Sequence, residues 1–360
     1  MKVLSRQEEL RRILRREGLE AFLTVDPIHR YYLSGFRGSE GTLLLLPEET
    51  VLLVDGRYTL QAREQAPHTR VVEYQRPQYG EELRKALREA GVEQVAVESR
   101  RLTHAFFLQL EAILSPEIGV EPREGLVEGL RRKKDEEELF LLRQAFQLAD
   151  EGFRHILSFI RPGVTEREVA LELEFFMRRQ GAEGAAFPFI VASGSRGALP
   201  HGLASGKVLE EGELVTLDFG CRLEGYHSDI TRTVAVKRVS EEQRQVYEAV
   251  REAGEKALSL LQAGVSGKEA DEAARAHLRE KGYGEAFRHS LGHGVGLEVH
   301  EAPSLSFAST DILEDGMVVT VEPGVYLEGR GGVRIEDAVI IRPGGYELLT
   351  LSPKELLIVG

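Results

Sequence analysis

The chain has 360 residues, 42% of them hydrophobic, which suffices for sizeable cores and, on length, for about two domains. A formal net charge of -13 and a pI near 5.4 argue against a nucleic-acid partner or an anionic membrane surface, since both need clustered Lys and Arg. The single cysteine, Cys221, excludes an intramolecular disulfide and a cysteine cage for a metal.

The N-terminal stretch MKVLSRQEELRRILRREG is charged throughout and lacks the apolar run of a signal peptide. Nor does any later segment reach the ~20 apolar residues of a membrane span, so a cytoplasmic protein is expected. The first ~125 residues alternate helix-like and strand-like segments, the pattern of an α/β domain. Ser5 to Arg16 reads as a helix, residues 21–25, 42–46 and 51–55 as strands, Glu81 to Ala90 as a helix and residues 94–98 as a strand. The pattern breaks at PREGLVEG, which puts a boundary between domains 1–125 and 126–360. Arg131 to Lys134 is a basic run answered at once by Asp135, Glu136, Glu137 and Glu138, and it reads as a solvated helix start. In the helix that follows, Leu139, Leu142, Phe146, Ala149, Phe153, Ile156 and Phe159 or Ile160 form one apolar stripe.

A repeat then appears. Thr165 and Glu168 have the spacing of a capping box, as do Ser240 with Gln243 and Ser266 with Glu269. Each helix pair is followed by two strand-like runs joined by a turn, which predicts a pseudo-symmetric α+β domain with helices on a shared antiparallel sheet. The runs carry carboxylates: Asp218 and Asp229 in the first, Glu322 and Glu336 in the second. A two-residue turn at Leu223-Glu224 would set Asp218 opposite Asp229. A three-residue turn at Glu328-Gly329-Arg330 would set Glu322 opposite Glu336. Like charges facing across a sheet are destabilising, and acids are seldom buried without a counter-charge. Arg232 and Arg334 are too few to neutralise four acids, so a pair of divalent ions is expected. Oxygen-rich coordination with one imidazole suits Mn²⁺, Co²⁺ or Zn²⁺. His289, His293 and His300 cluster in RHSLGHGVGLEVHEAP, whose glycines let backbone approach a ligand.

Five stretches, LDFG (217–220), SDITRT (228–233), GHGVGLEVHE (292–301), VEPGVY (321–326) and VRIED (333–337), together resemble the five motifs of the pita-bread metallopeptidases. Within that family they are most similar to the Xaa-Pro dipeptidase (prolidase) and aminopeptidase P branch. The likeness runs in order from about Lys133 to the end, and YYLSGFRGS (31–39) is a weaker match to the creatinase-type N-terminal domain. The resemblance implies a dinuclear centre on Asp218, Asp229, His293, Glu322 and Glu336, with Asp229 and Glu336 bridging. It implies Glu322 as acid and base, His300 as partner of the scissile carbonyl, and His201 and His289 on the pocket wall. Arg334, on the strand face of Glu336, would orient a substrate carboxylate or an acid behind the metal ligands, and Tyr326 lies near the site by analogy alone. A homodimer and a proline-containing di- or oligopeptide substrate follow from the family. Phe187 and Phe189 are candidates to pack a proline ring, with core packing the blander role. Many prolidases carry Arg after the Pro of their His-Glu-Xaa-Pro motif, and here Pro303 is followed by Ser304. Aminopeptidase P activity on longer peptides is therefore the alternative to dipeptidase activity. A metal-independent amidinohydrolase or a non-catalytic binding protein on the same scaffold should lack ligands, and all five are present. Cys221, in the first hairpin, has no base near it in sequence. The lack of asparagine, the three Met and the high charge suggest a thermophilic source.

Overall fold

A computed structural model describes residues 2–360, which divide into two compact units, one ending at Leu130 and the other running from Arg131 to Gly360. Both units mix helices and sheets.

The first unit is built on one six-stranded sheet. Its elements are α1 (Lys2–Arg16), β1 (Ala21–Thr24), α2 (Pro27–Ser34), β2 (Thr42–Leu45), β3 (Thr50–Asp55), α3 (Thr59–Gln65), β4 (Arg70–Tyr74), α4 (Tyr79–Glu89), β5 (Gln94–Glu98), α5 (His104–Leu114) and β6 (Gly119–Arg123). The strand order is β4-β3-β2-β1-β5-β6, with β2 antiparallel to both its neighbours and the outer pairs parallel. Short β-rich runs such as Leu43 to Leu45 and Val51 to Val54 are wholly buried, as expected for strands covered on both faces. The α2 helix begins at Asp26, whose carboxylate accepts from the Ile28 and His29 N–H groups, and stops at Gly35 in the left-handed conformation. The sequence reading missed α2, α3, α5, β4 and β6, which are short or only partly buried.

The second unit opens on α6 (Leu126–Arg131), which straddles the division, and α7 (Glu136–Ile156), α8 (Glu166–Arg179), β7 (Gly184–Ala185) and β8 (Ile190–Ser193). It continues through β9 (Leu214–Phe219), β10 (Cys221–Leu223), β11 (Tyr226–His227), β12 (Ile230–Val236), α9 (Glu241–Leu258) and α10 (Gly267–Glu280). The last strands are β13 (Gly292–Gly294), β14 (Glu301–Leu305), β15 (Val318–Val321), β16 (Gly324–Leu327), β17 (Gly331–Arg334), β18 (Asp337–Arg342), β19 (Gly345–Leu348) and β20 (Ile358–Val359).

All three expected capping boxes form, and Asp135 with Glu138 adds a fourth at the start of α7. The α7 stripe is buried and packs with α8 against β9 and β12, while α9 and α10 pack in the same way against β15 and β18. The two halves therefore repeat one plan. Each keeps its own hydrogen-bonded sheet, β20-β12-β9-β8 and β14-β13-β15-β18-β19, and the two are stitched where the Glu336 N–H donates to Thr231 O at 3.0 Å.

One expectation about the basic run is corrected. Arg131 and Lys134 are buried, because carboxylates far along the chain receive them, and only Lys133 of the run is exposed as a solvated helix start would be.

Candidate metal centre and active site

The first acidic hairpin turns at Glu224-Gly225, one residue later than expected. Both residues have positive φ (49° and 82°), the conformation that tight hairpin turns require and that Gly supplies cheaply. Leu223 pairs with Tyr226, and the same register runs on to set Asp218 opposite Thr231. Asp218 and Asp229 therefore do not face one another. Asp229 lies two residues before Thr231, so the two acids are diagonal neighbours on the same face of the ladder. Gly220 makes this packing possible, since a Cβ there would sit 1.8 Å from Ser228 O.

The second hairpin has the three-residue turn at Glu328-Gly329-Arg330, with Leu327 paired to Gly331. Val321 pairs with Asp337 and Gly324 with Arg334, so Glu322 and Glu336 fall at opposite positions. The ladder opens at both. The Glu322 N–H donates to Leu291 O at 2.7 Å and the Glu336 N–H to Thr231 O.

These four acids and His293, from β13, converge on one cavity of about 440 Å³. Ligand atoms of Asp229, His293 and Glu336 all lie within 4.8 Å of one another. His293 Nδ1 is 3.1 Å from Gly294 O, which fixes its proton there and leaves Nε2 free as a ligand. Nε2 is 3.3 Å from Glu322 Oε1 and 3.6 Å from Asp229 Oδ2. The electrostatics divide the acids. Burial raises the Asp218 carboxyl, while the Arg334 guanidinium held against it pulls the other way. Glu322 also pays a burial penalty, yet the hydrogen bond and charge of His293 bring it below the ordinary range. Asp229 is pushed well up by burial and by Glu336 and Asp218. Burial, then Glu322 and Asp218, does the same to Glu336. Glu336 Oε2 accepts from Thr231 Oγ1 at 2.9 Å, but buried Oε1 has no hydrogen-bond partner among the described residues. Oxygen donors, an oriented imidazole and an orphaned carboxylate oxygen together fit a divalent cation.

Arg334 does not face substrate as a free cation. It spends its donors on Asp218, on Tyr326 OH (2.7 Å), on Pro200 O (3.1 Å) and on Thr231 Oγ1 (3.2 Å). The Tyr326 hydroxyl, raised to about 12 by burial, lies 2.9 Å from His289 Nε2, and His289 Nδ1 lies 2.8 Å from Ser290 O. A continuous relay Asp218, Arg334, Tyr326, His289 thus braces one wall. Arg232 takes no part in neutralising the site and pairs with Asp337 instead. His201, His289 and His300 all line the cavity, and the His300 ring lies 4.0 Å from that of His293, tilted at 41° to it.

Phe187 lines the cavity with Pro188, Ile190 and Leu203, whereas Phe189 is buried against Phe219. Thr231, which touches both Glu336 and Arg334, escaped the sequence reading, although its place in SDITRT beside Asp229 was a signal. Cys221 is buried, its thiol pushed up to about 11, which suits packing and not nucleophilic attack. In the first unit His29, Glu98 and Glu128 are also close, but His29 is paired with Glu98 and Arg101 with Glu128. No described helix is long and apolar enough to cross a membrane.

Comparison with known proteins now adds independent findings. The model of metallopeptidase family M24 matches residues 141–343, and that of the creatinase/prolidase N-terminal domain matches residues 6–133. A protein of Pyrococcus horikoshii called Xaa-Pro dipeptidase is 37% identical over 95% of both chains. Among solved structures, an Xaa-Pro dipeptidase from Bacillus anthracis superposes with a TM-score of 0.96 at 45% identity, covering 99% of this chain and 100% of that one. An X-Pro aminopeptidase from Thermotoga maritima superposes at 0.91 with 40% identity, covering 98% and 99%.

Proposed function

The chain belongs to metallopeptidase family M24, and on that premise we propose that it hydrolyses the peptide bond preceding proline, acting as an Xaa-Pro dipeptidase. The observation that carries the reading is the convergence of four acids and His293 on a cavity also lined by the apolar residues Phe187, Pro188, Ile190 and Leu203. Asp218, Asp229, His293, Glu322 and Glu336 would hold two divalent ions, Mn²⁺ or Co²⁺ before Zn²⁺. When bound, such ions acidify water and polarise a carbonyl oxygen.

The protein's own groups do the rest. Glu322, ionised beside His293, takes a proton from the attacking water. The nitrogen of an Xaa-Pro bond carries no proton, so its departure needs one delivered, and Glu322 returns it there. His300, kept neutral by burial and by the neighbouring His293, donates a hydrogen bond to the scissile carbonyl oxygen. Tyr326 and Arg334 hold Asp218 and His289 in place, and His201 and His289 bound the peptide. Phe187, Pro188, Ile190 and Leu203 receive the proline ring. A homodimer and a cytoplasmic setting complete the proposal.

Ser304 supports a second reading. It lines the cavity at the position after Pro303 where many prolidases carry Arg, and Arg334, the one Arg or Lys in the wall among the described residues, is already committed to Asp218. Aminopeptidase P activity on Xaa-Pro-Yaa peptides avoids the need for a cation at a dipeptide's free carboxylate. Ranking Xaa-Pro against Xaa-Pro-Yaa substrates by kcat/KM decides. Preference for the dipeptide upholds the first reading, preference for the longer peptide moves the assignment, and hydrolysis of neither removes both.

A further inference from the structure

Every member of the basic run 131–134 reaches into one distant stretch of chain, residues 298–314. Arg131 binds Glu298 at 2.9 Å and Glu301 at 2.5 Å, Arg132 binds Asp311 at 2.7 Å, Lys133 meets Glu314 at 3.1 Å, and Lys134 meets Glu301 at 2.7 Å. Arg131, Lys134 and Glu301 are buried, so this cluster lies out of reach of the solvent screening that weakens surface pairs. Asp311 passes the grip on, since its Oδ2 accepts from the Ser304 N–H at 2.9 Å. The run itself is anchored: Lys134 N–H donates to Gly316 O at 3.0 Å, and Lys133 bridges to Met317.

The gripped stretch delivers Val299, His300 and Ser304 to the cavity. His300 lies outside any strand, and its ring makes no hydrogen bond with a described residue. Its position therefore depends on its backbone. The next residue, Glu301, begins β14 with its side chain turned to Arg131 and Lys134 and packed on Gly296, where a Cβ would lie 2.5 Å from the carboxylate. His300 immediately precedes Glu301, so holding the Glu301 side chain fixes the backbone from which the His300 ring enters the cavity. Burial alone would raise the Glu301 carboxyl, and Lys134 and Arg131 override it and hold it below the ordinary range, ionised and able to keep both partners.

We infer that Arg131, Arg132 and Lys134 form a clasp that positions His300 and Ser304 against the scissile bond, with Glu301 and Asp311 as its catches. The inference rests on the proposed role of His300, and its test separates the two. Lys134→Met in the full-length, Mn²⁺-loaded enzyme is expected to lower kcat/KM for an Xaa-Pro peptide by about tenfold to a hundredfold, the cost of a small misplacement of a reacting group. Bound Mn²⁺ per chain should stay the same, because no ligand is in the clasp. In a His300→Ala background the same substitution should cost less than about twofold, since it acts through that ring. A loss carried over in full would overturn the clasp. So would a crystal structure of Lys134→Met in which residues 298–304 have not moved. If His300→Ala alone costs nothing, the role given to His300 falls, and the crystal structure still decides the clasp. Should Lys134→Met not fold, Arg132→Met, acting through Asp311 on the Ser304 backbone, is read by kcat/KM, bound Mn²⁺ and the position of residues 298–304 in its crystal structure, and an unmoved segment there overturns the clasp.

Discussion

The two acidic hairpins look alike in sequence and solve the problem of buried charge in different ways. In the first, the ladder runs through Asp218 and opens at Asp229, and its two acids sit diagonally; in the second, the ladder opens at both acids and they sit opposite. Yet each hairpin has one compensated carboxylate and one that is not. Asp218 is held by Arg334 and Glu322 by His293, while Asp229 has only the His293 ring at 3.6 Å and Glu336 has a hydroxyl and an orphaned oxygen. The uncompensated pair comes from different hairpins. A cation held by both of these acids would therefore lie between the hairpins, which the pseudo-symmetry of the unit brings together.

The two kinds of acid should respond differently to neutralisation. Asp229→Asn and Glu336→Gln should each lower kcat/KM by about 10³-fold or more, the equivalent of several kcal/mol of lost charge stabilisation. In the metal-free protein the same substitutions should raise Tm, since each removes a buried carboxylate without a partner. Asp218→Asn should do the reverse and destabilise the metal-free protein by about 3–5 kcal/mol in denaturant unfolding, because it strands the Arg334 guanidinium. Equal shifts of Tm for Asp218→Asn and Glu336→Gln would erase the distinction.

A pH titration sharpens it further. Asp229 and Glu336 have folded-state pKa values above their unfolded ones, so the folded chain keeps those protons longer. Their stabilising contribution is complete below the unfolded carboxylate range, about pH 4, and is lost as pH rises through the raised values. Urea midpoints of the metal-free protein should therefore fall on going from mildly acidic to neutral pH, and the Asp229→Asn, Glu336→Gln double variant should flatten that slope. Tyr326→Phe is the smallest expected effect. It removes one hydrogen bond to Arg334 and one to His289, a cost of about 1–3 kcal/mol, seen as a reduced kcat with bound metal unchanged.

The acids, the histidine cluster and the capping boxes were legible because each is local chemistry: a spacing of three residues or a carboxylate in an apolar run. The second register was legible too, since three glycines crowd its turn. The first was misread by one residue because the turn was centred on Leu223, although Gly225 as the second central residue points to Glu224-Gly225. A one-residue error in the turn changes which residues are opposed along the whole ladder, and the two acids remain neighbours only because diagonal positions share a face. The burial of Arg131 and Lys134 left no local trace, for their partner Glu301 lies more than a hundred residues on, while the acids that follow them in sequence offer a false explanation. Nor did Arg334 declare its partner, since its contact with Asp218 crosses between the halves.

On the proposed function, the uncompensated carboxylates hold catalytic cations. Hydrolysis of an Xaa-Pro peptide by the chelator-stripped enzyme, followed by titration with Mn²⁺ or Co²⁺, tests it most directly. The account predicts no turnover in the stripped enzyme and recovery that saturates at two ions per chain. Full activity in metal-free protein would contradict it.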